Sequence, residues 1–128
     1  MGEWKEYKLG ELISVNAKSI DRNYPHKAIE YLDTGSITRG QIEGFQTFEL
    51  ENAPSRAKRL LNNNDIIYST VRPIHRHYGI IKNPKPNLVV STGFAVLSCN
   101  EKRADAKFIY YFLTSDDVVN YLDMVADG

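Results

Sequence analysis

The sequence predicts a single mixed domain of the α/β (α+β) class over residues 1–128, with a twisted, partly barrel-like β-sheet and C-terminal helices. Runs rich in β-branched and aromatic residues, bounded by turn residues, are typical of strands, and 66–71 and 88–97 are two such runs. From Asp105 onward the apolar residues recur with the spacing of a helix. The length suits one domain with its own core.

The stretch 62–98 is the centre of this prediction. Its first residues, 62–65, are polar residues that favour a turn, so a strand is predicted to begin at Ile66 and to end before Pro73. The later run is apolar on both faces, and its Ser-Thr-Gly segment at 91–93 indicates a bulge or a close backbone approach. Two buried strands therefore hold a polar, cationic connection at the surface.

The elements before this centre are short. Residues 4–13 have spacings compatible with a strand or turn followed by a short helix, and a polar loop follows at 16–27. Strands are predicted at 28–32 and 42–48, with a turn and a polar tip between them. The segment 53–61 is predicted to be a single helical turn or irregular.

Two helices are predicted after the centre. Asp105 occupies the N-cap position of the first helix, and its apolar stripe comprises Phe108, Ile109, Phe112 and Leu113. Ser115 caps the second helix, and its predicted buried face comprises Val118, Leu122 and Val125.

Charge is unevenly distributed along the chain. The whole sequence has 16 basic and 16 acidic residues, yet the window from Ala53 to Pro86 has seven basic residues and one acidic residue. A local positive field on a neutral protein is what a surface facing phosphates needs. A solvated basic face is the alternative interpretation, because Lys and Arg are usually exposed.

Composition excludes several classes of protein. No apolar run approaches the ~20 residues that span a bilayer, and the N-terminus lacks the apolar segment of a signal peptide. Cys99 is the single cysteine, so an internal disulfide is impossible, and we expect it to act as a small core hydrophobe. A cytoplasmic setting without membrane contact is expected.

Two short motifs suggest chemistry that the rest of the sequence does not support. Asp33-Thr34-Gly35 is the signature of aspartic proteases, which would require a homodimer because two such aspartates share a proton. The later glycine motif of those enzymes is not recognisable, and the same residues are ordinary turn material. His75 and His77 are spaced to share a strand face and chelate a metal, but a third ligand is missing. No metal and no cofactor are predicted.

Several segments together resemble the target recognition domain of the specificity subunit of type I restriction-modification systems. The resemblance runs almost end to end, and no single piece is specific. The segments are Trp4 with Leu9-Gly10-Glu11-Leu12, Tyr31–Ile37, Pro54–Lys58, Asp65–Pro73, Ser91–Leu97 and Tyr110–Leu113.

This resemblance implies a DNA-reading module without catalysis of its own. A full-length subunit carries two such domains separated by helices, and each domain reads half of a split target. The expected partners are double-stranded DNA, the modification (methyltransferase) subunits, the restriction (motor) subunits, and a second recognition domain or a homodimer partner. The chain ends without a spacer helix, so we expect a fragment of a longer subunit, although a dimerising half-subunit or a fused methyltransferase also fits. A protein-interaction domain that kept the fold without reading DNA is a further alternative.

The expected DNA-binding residues fall into two groups. Those expected at base edges in the major groove are Thr38, Arg39, Gln41, Arg72, His75, Arg76 and His77. Those assigned to phosphates or to holding the loops are Ser55, Arg56, Lys58, Arg59, Lys82, Ser91 and Thr92. Thr70 is included without assignment to either group, and Arg56 and Arg72 are also candidates for bracing the fold.

Overall fold

Ten short strands and two helices are formed by residues 13–100 and 105–126, the part of the chain that the computed structural model describes. The strands are β1 (Ile13–Val15), β2 (Ala28–Leu32), β3 (Ile37–Thr38), β4 (Gln41–Ile42), β5 (Gln46–Glu49), β6 (Ala57–Arg59), β7 (Ile66–Ser69), β8 (Tyr78–Ile80), β9 (Leu88–Ser91) and β10 (Phe94–Cys99). The helices are α1 (Ala106–Leu113) and α2 (Asp116–Ala126). Single 3-10 turns lie at Thr34–Ser36, Leu50–Asn52 and Pro73–His75.

The strands form two four-stranded sheets and one two-stranded ribbon. Sheet 1 has the order β1-β10-β7-β8, sheet 2 has the order β5-β2-β9-β6, and the ribbon pairs β3 with β4. The pairings are antiparallel except that of β2 with β9. The mixed α/β class is confirmed, and its sheets stay open rather than closing into a barrel.

Sheet 1 is buried on both faces because its side chains alternate between two cores. Ile67 and Val96 belong to the core shared with Leu32 and Val90 of sheet 2. The neighbouring residues of sheet 1 belong to a second core with the helices, through Ile109, Leu113 and Val119. Each fully buried aliphatic side chain of this kind stabilises the fold by roughly 1.5–3 kcal/mol, so these layers fix where the loops between strands emerge.

The predicted strand 88–97 is in fact two strands in different sheets. The break falls at Thr92-Gly93, where the chain passes from β9 of sheet 2 to β10 of sheet 1. Gly93 is needed there, since a Cβ on it would lie 2.8 Å from Cγ2 of Thr34. The interpretation as a single bulged strand was wrong, although the close backbone approach was correctly inferred.

Other predicted elements differ in detail. The segment 53–61 contains strand β6 rather than a helical turn, and the predicted strand 42–48 is divided between β4 and β5. Strand β8 was not predicted, because three residues between polar segments give too weak a signal. The strand at 28–32 is confirmed as β2, and Ile13 begins β1. Trp4, Leu9 and Leu12 lie outside the described residues.

Both helices are confirmed, but their buried faces differ from the predicted ones. The carboxylate of Asp105 accepts a hydrogen bond from the backbone N–H of Lys107 at 2.8 Å, so the predicted N-cap is correct. In α1, Phe108 and Phe112 are 67% and 52% exposed, and Ile109 and Leu113 form the buried face. In α2 the fully buried residue is Val119, whereas Val118 and Leu122 are partly buried and Val125 is 48% exposed. Both errors have the same cause. Each helix packs against the rest of the protein along one side only, and the contact is narrower than the apolar stripe in its sequence.

Cys99 is partly buried against the helix-side core, in keeping with the role of a small hydrophobe. Of the helices in the described ranges, none combines the length and the apolar character needed to cross a bilayer.

Candidate nucleic-acid interface

Four connections between strands gather at one end of the two sheets. At this end Ser69 pairs with Phe94, Ser91 pairs with Ala57, and Leu32 pairs with Val90. The chain segments that emerge beyond these pairs are 33–41, 54–56, 70–77 and 91–93. We refer to these four segments as the loop end, and most of the predicted DNA-binding residues lie in it.

The backbone of segment 70–77, hereafter the reading loop, is held in place by hydrogen bonds. Its first residues fold back on Ser69, whose Oγ accepts from the N–H of Val71 at 3.1 Å and donates to the carbonyl oxygen of Val71 at 3.0 Å. Arg72 and Arg76 have φ values of 51° and 59°, in the left-handed region, on either side of the 3-10 turn that begins at the buried Pro73. Left-handed backbone costs about 1–2 kcal/mol for a residue with a side chain, so the surroundings of the loop must hold it.

Helix α2 supplies that hold through two carboxylates. Asp116 Oδ1 lies 3.0 Å from Nη2 of Arg76, and Asp123 Oδ1 accepts a hydrogen bond from the backbone N–H of Ile74 at 3.0 Å. A hydrogen bond to Tyr78 is the main cause that raises the pKa of Arg76. The side chain of Arg76 is only 14% exposed, so it faces the helix and the sheet more than solvent. We refer to Arg76, Asp116 and Asp123 as the helix clamp.

The β3–β4 ribbon is bonded to the reading loop on its other side. The backbone N–H of Arg39 donates to the carbonyl oxygen of Arg76 at 2.9 Å, and Gly40 donates to that of Tyr78 at 2.8 Å. Nδ1 of His77 lies 2.7 Å from the carbonyl oxygen of Ile37, and because a carbonyl can only accept, this nitrogen carries a proton. These bonds bring the exposed tip of the ribbon beside the reading loop.

The two histidines of the loop stack on each other. The rings of His75 and His77 are parallel within 9°, with centroids 6.0 Å apart. His75 ends the 3-10 turn and His77 follows it, so the prediction that they share a strand face was wrong. Across residues 13–100 and 105–126, no three His, Cys, Asp or Glu side chains are grouped so that they could hold a metal ion.

The remaining connections meet around the crossing between the sheets. The backbone N–H of Thr92 donates to the carbonyl oxygen of Arg56 at 2.9 Å, and both N–H and Oγ1 of Thr70 donate to that of Gly93, at 3.0 and 3.2 Å. The hydroxyl of Ser91 accepts from the N–H of Gly93 at 3.0 Å. Ser91 is fully buried, so it holds the turn rather than contacting a ligand, whereas Arg56, Thr70 and Thr92 are exposed.

Two of the predicted residues, Lys82 and Arg59, lie away from the loop end, and a third, Lys58, lies in β6 next to it. Lys82 donates to Asn64 at 2.6 Å at the opposite end of β7, five residues from Ser69, or about 17 Å along the strand. Arg59 is the last residue of β6, on the side of the strand that runs away from the loop end, and it is half-buried. Its Nε has no hydrogen-bond acceptor within the described residues. Lys58, at the irregularity between the two paired residues of β6, is exposed.

Asp33 lies at the loop end in a structural role. Its carboxylate accepts from the N–H of Thr34 at 2.9 Å and from the hydroxyl of Tyr31 at 3.3 Å, and it caps the 3-10 turn Thr34–Ser36. This is the turn chemistry that the sequence also predicted, and the protease interpretation gains no support from it.

Sequence reasoning missed two kinds of residue in this region. Asp116 and Asp123 of the helix clamp lie 40 and 49 residues from their partners, so no local pattern connects them. Val71 was predicted to end a strand, yet it is 59% exposed in the reading loop, where Ile74 is also 40% exposed. An apolar residue beside a left-handed arginine gives no recognisable signal in one sequence.

Comparison with known proteins gives one family. Residues 1–120 match the family model described as type I restriction modification DNA specificity domain. The chain is 30% identical, over its whole length, to the type I restriction enzyme HindI specificity subunit of Haemophilus influenzae, of which it covers 28%.

Solved structures have the same fold. The HsdS subunit from Thermoanaerobacter tengcongensis superposes on 89% of this chain with a TM-score of 0.76 and 26% identity, and the match covers 30% of that subunit. A chain from a structure described for the complex assembly and conformational transition of the type I R-M system superposes on 93% of this chain, with a TM-score of 0.71 and 24% identity, over 33% of its own length. The chain thus spans about a third or less of each of these proteins.

Proposed function

Because the chain belongs to the type I restriction modification DNA specificity domain family, we propose that it binds double-stranded DNA sequence-specifically and reads one half of a bipartite target. In this proposal residues 1–128 act as one target recognition domain, and the chain carries out no chemistry itself.

One observation carries the proposal: the ribbon tip and the reading loop are bonded into a single surface at the loop end. The hydrogen bond from Arg39 to Arg76 joins segments almost forty residues apart, and exposed Arg39 and Arg72 lie on the two joined segments. Reading bases requires donors and acceptors held at fixed positions, since an ill-placed bidentate group loses its discrimination. A rigid, cationic set of loops on a packed scaffold meets that requirement.

We assign the base contacts to the exposed polar side chains of the ribbon tip and reading loop. Arg72 and Arg39 can each donate two hydrogen bonds to guanine, and Gln41 can pair with adenine. His75 is exposed beside them, and Thr38 lies on the ribbon. Arg76 pairs with Asp116, and His77 bonds to the carbonyl oxygen of Ile37, so we assign both residues to holding the loop in shape.

We assign the phosphate contacts to the exposed residues around the crossing between the sheets, because contacts to phosphates fix the position of a protein on the duplex without reading sequence. These residues are Ser55, Arg56, Lys58, Thr70 and Thr92. Lys82 and Arg59 lie toward the other end of the strands and are left out of this interface.

The assembly in which the domain works is also a proposal. The HindI relative is a specificity subunit, and this chain covers 28% of it. We therefore propose that the domain works within a type I complex with modification and restriction subunits, in the cytoplasm where its DNA ligand lies. A second recognition domain or a second copy of this chain would supply the other half-site.

Selection from a randomised duplex library tests the function directly. The chain is expected to enrich one short motif of three or four base pairs at moderate salt. Arg72→Ala should abolish the preference at one position of that motif, with a loss of about 1–3 kcal/mol there.

Lys82→Ala is the matched control, since it removes an equal charge at the opposite end of the strands. It should leave the selected motif and the affinity nearly unchanged. Salt-sensitive binding without any selected motif would contradict sequence-specific reading, because it would show that the loop end binds phosphates only. An equal loss of binding in both variants would contradict the proposed position of the interface.

A further inference from the structure

Val71 presents an apolar side chain at the start of the reading loop. It is 59% exposed and lies between Thr70 and Arg72, both also exposed. A single exposed valine is ordinary in itself. The unusual features are its position on the reading loop and the hydrogen bonds that restrain its backbone.

Three constraints fix the direction of this side chain. Ser69 Oγ bonds to both the N–H and the carbonyl oxygen of Val71, at 3.1 and 3.0 Å. The next residue, Arg72, is in the left-handed region and precedes the buried Pro73. Valine itself has few χ1 rotamers. The two methyl groups of Val71 are therefore presented to a ligand without a large loss of side-chain entropy on binding.

The neighbours of Val71 determine what it could meet. Its Cγ2 would lie 3.9 Å from a Cβ on Gly93, so the side chain leans toward the crossing between the sheets, and the exposed Arg72 follows it in sequence. Its methyl groups cannot donate or accept a hydrogen bond. In the major groove of DNA the apolar group on a base edge is the C5-methyl of thymine.

We propose that Val71 contacts the C5-methyl group of a thymine in the target half-site, next to the base that Arg72 reads. This inference rests on the proposed function and makes it more specific: the half-site contains a thymine whose methyl group is recognised. Val71 is then a specificity-determining residue that acts by apolar contact, beside residues that act by hydrogen bonding.

Deoxyuridine substitution tests this contact because it removes the methyl group and nothing else. In the selected half-site duplex, each thymine is replaced in turn by deoxyuridine and the affinity of the chain is measured. One replacement is expected to weaken binding about three- to tenfold, the size expected for losing the burial of one methyl group.

Val71→Ala should bind the thymine duplex about as weakly as the unchanged chain binds the deoxyuridine duplex, and it should no longer distinguish the two. This double-mutant cycle isolates the contact between the two methyl-bearing groups. Val15→Ala is the control, since Val15 is 52% exposed on the edge strand β1 and should leave the discrimination intact. Equal thermal stability of both variants establishes that the fold is retained.

The other outcomes separate the two proposals. If no half-site is selected, the proposed function fails, and this inference fails with it. If a half-site is selected but contains no thymine, or binds equally well with deoxyuridine at every position, only the thymine contact is overturned. A Val71→Ala variant that binds both duplexes more weakly by the same factor would assign Val71 to loop packing and would also overturn it.

Discussion

The arginines of the loop end differ in what surrounds them, and the proposed division between base-reading and supporting arginines rests on this difference. Arg39 and Arg72 are exposed, and each has a backbone in the left-handed region. Arg76 has the same backbone conformation, but its guanidinium is held by Asp116 and Tyr78. Two arginines of the reading loop therefore have different surroundings, although one sequence gives them the same signal.

Removing one clamp residue should loosen the reading loop without unfolding the domain. Asp123→Ala deprives the N–H of Ile74 of its acceptor, so hydrogen exchange at that amide should become at least about tenfold faster. The free energy of unfolding should fall by no more than about 1.5 kcal/mol, the usual net contribution of one hydrogen bond.

Asp117→Ala is the appropriate comparison, because Asp117 is an exposed acidic residue in the same first turn of α2 as Asp116. Exchange at Ile74 should stay unchanged in that variant. Unaltered exchange in Asp123→Ala as well, measured by NMR, would contradict the clamp.

At the scale of elements, the ribbon, the reading loop and helix α2 form one bonded series. The ribbon bonds to the loop through Arg39 and Gly40, and the loop bonds to the helix through Ile74 and Arg76. Strand β8 lies beneath the ribbon, and Gly79 allows that close packing. A Cβ there would lie 2.6 Å from Cδ1 of Ile37 and 3.2 Å from Cα of Gly40.

Gly79→Ala should therefore displace the ribbon from β8. Overpacking of this kind costs typically about 1–3 kcal/mol, and because Gly40 meets the new methyl group with its backbone, relief requires the ribbon to move. A lower midpoint of denaturant unfolding, together with weaker DNA binding, is the expected result.

Gly44→Ala provides the contrast, since a Cβ at Gly44 meets nothing within 4 Å. Its midpoint should stay the same or rise slightly, because alanine restricts the unfolded chain. Equal midpoints for the two variants would contradict the tight contact between ribbon and strand.

At the scale of the whole molecule, one core lies between the two sheets, a second lies between sheet 1 and the helices, and a third packs on sheet 2. Two tyrosines belong to the layer of the helices. The hydroxyl of Tyr68 donates to the carbonyl oxygen of Leu113 at 2.8 Å, tying sheet 1 to the end of α1. Burial raises the pKa of Tyr68 to about 12, and burial likewise raises that of Tyr110 to about 12.

Stability should consequently decline at alkaline pH. The unfolded chain loses these phenolic protons near pH 10, whereas the folded protein retains them until about pH 12. Above pH 10 the unfolded state binds fewer protons, so the free energy of unfolding falls as pH rises through this window. Below pH 10 the contribution is fully present.

Denaturant unfolding between pH 8 and pH 11.5 measures this decline. Tyr68→Phe should be less stable than the unchanged chain at pH 8, by about 1 kcal/mol, because the carbonyl of Leu113 loses its donor. It should also show a shallower loss of stability above pH 10. An identical pH slope in both proteins would rule out Tyr68 as a source of the dependence.

The salt dependence of DNA binding is a second property of the whole molecule. Its formal net charge is zero, so we attribute attraction to DNA to individual basic side chains at the loop end, among them Arg39, Arg56 and Arg72. Arg56→Ala should lower the slope of log affinity against log salt by about one and weaken binding equally for all sequences. A change in the selected motif instead would make Arg56 a base-reading residue.

Local patterns in the sequence predicted the elements that local chemistry determines. The turn chemistry at 62–65 located the start of β7, and Asp105 located the start of α1, because capping and turns depend on near neighbours. The division of 88–97 between two sheets depends on which strands lie beside each half, a long-range property. The helix clamp depends likewise on contacts between residues 40 and 49 positions apart, and no single sequence displays them.

The attachment of the reading loop to α2 defines the smallest unit that could be exchanged between relatives. Residues 70–77 lie outside the packed strands, so replacing them removes little of either core. A transplanted loop would nevertheless arrive without Asp116 and Asp123, so Arg76 and the backbone N–H of Ile74 would lose the contacts that hold them. Retargeting this domain by grafting therefore requires the loop and the first two turns of α2 to be moved together.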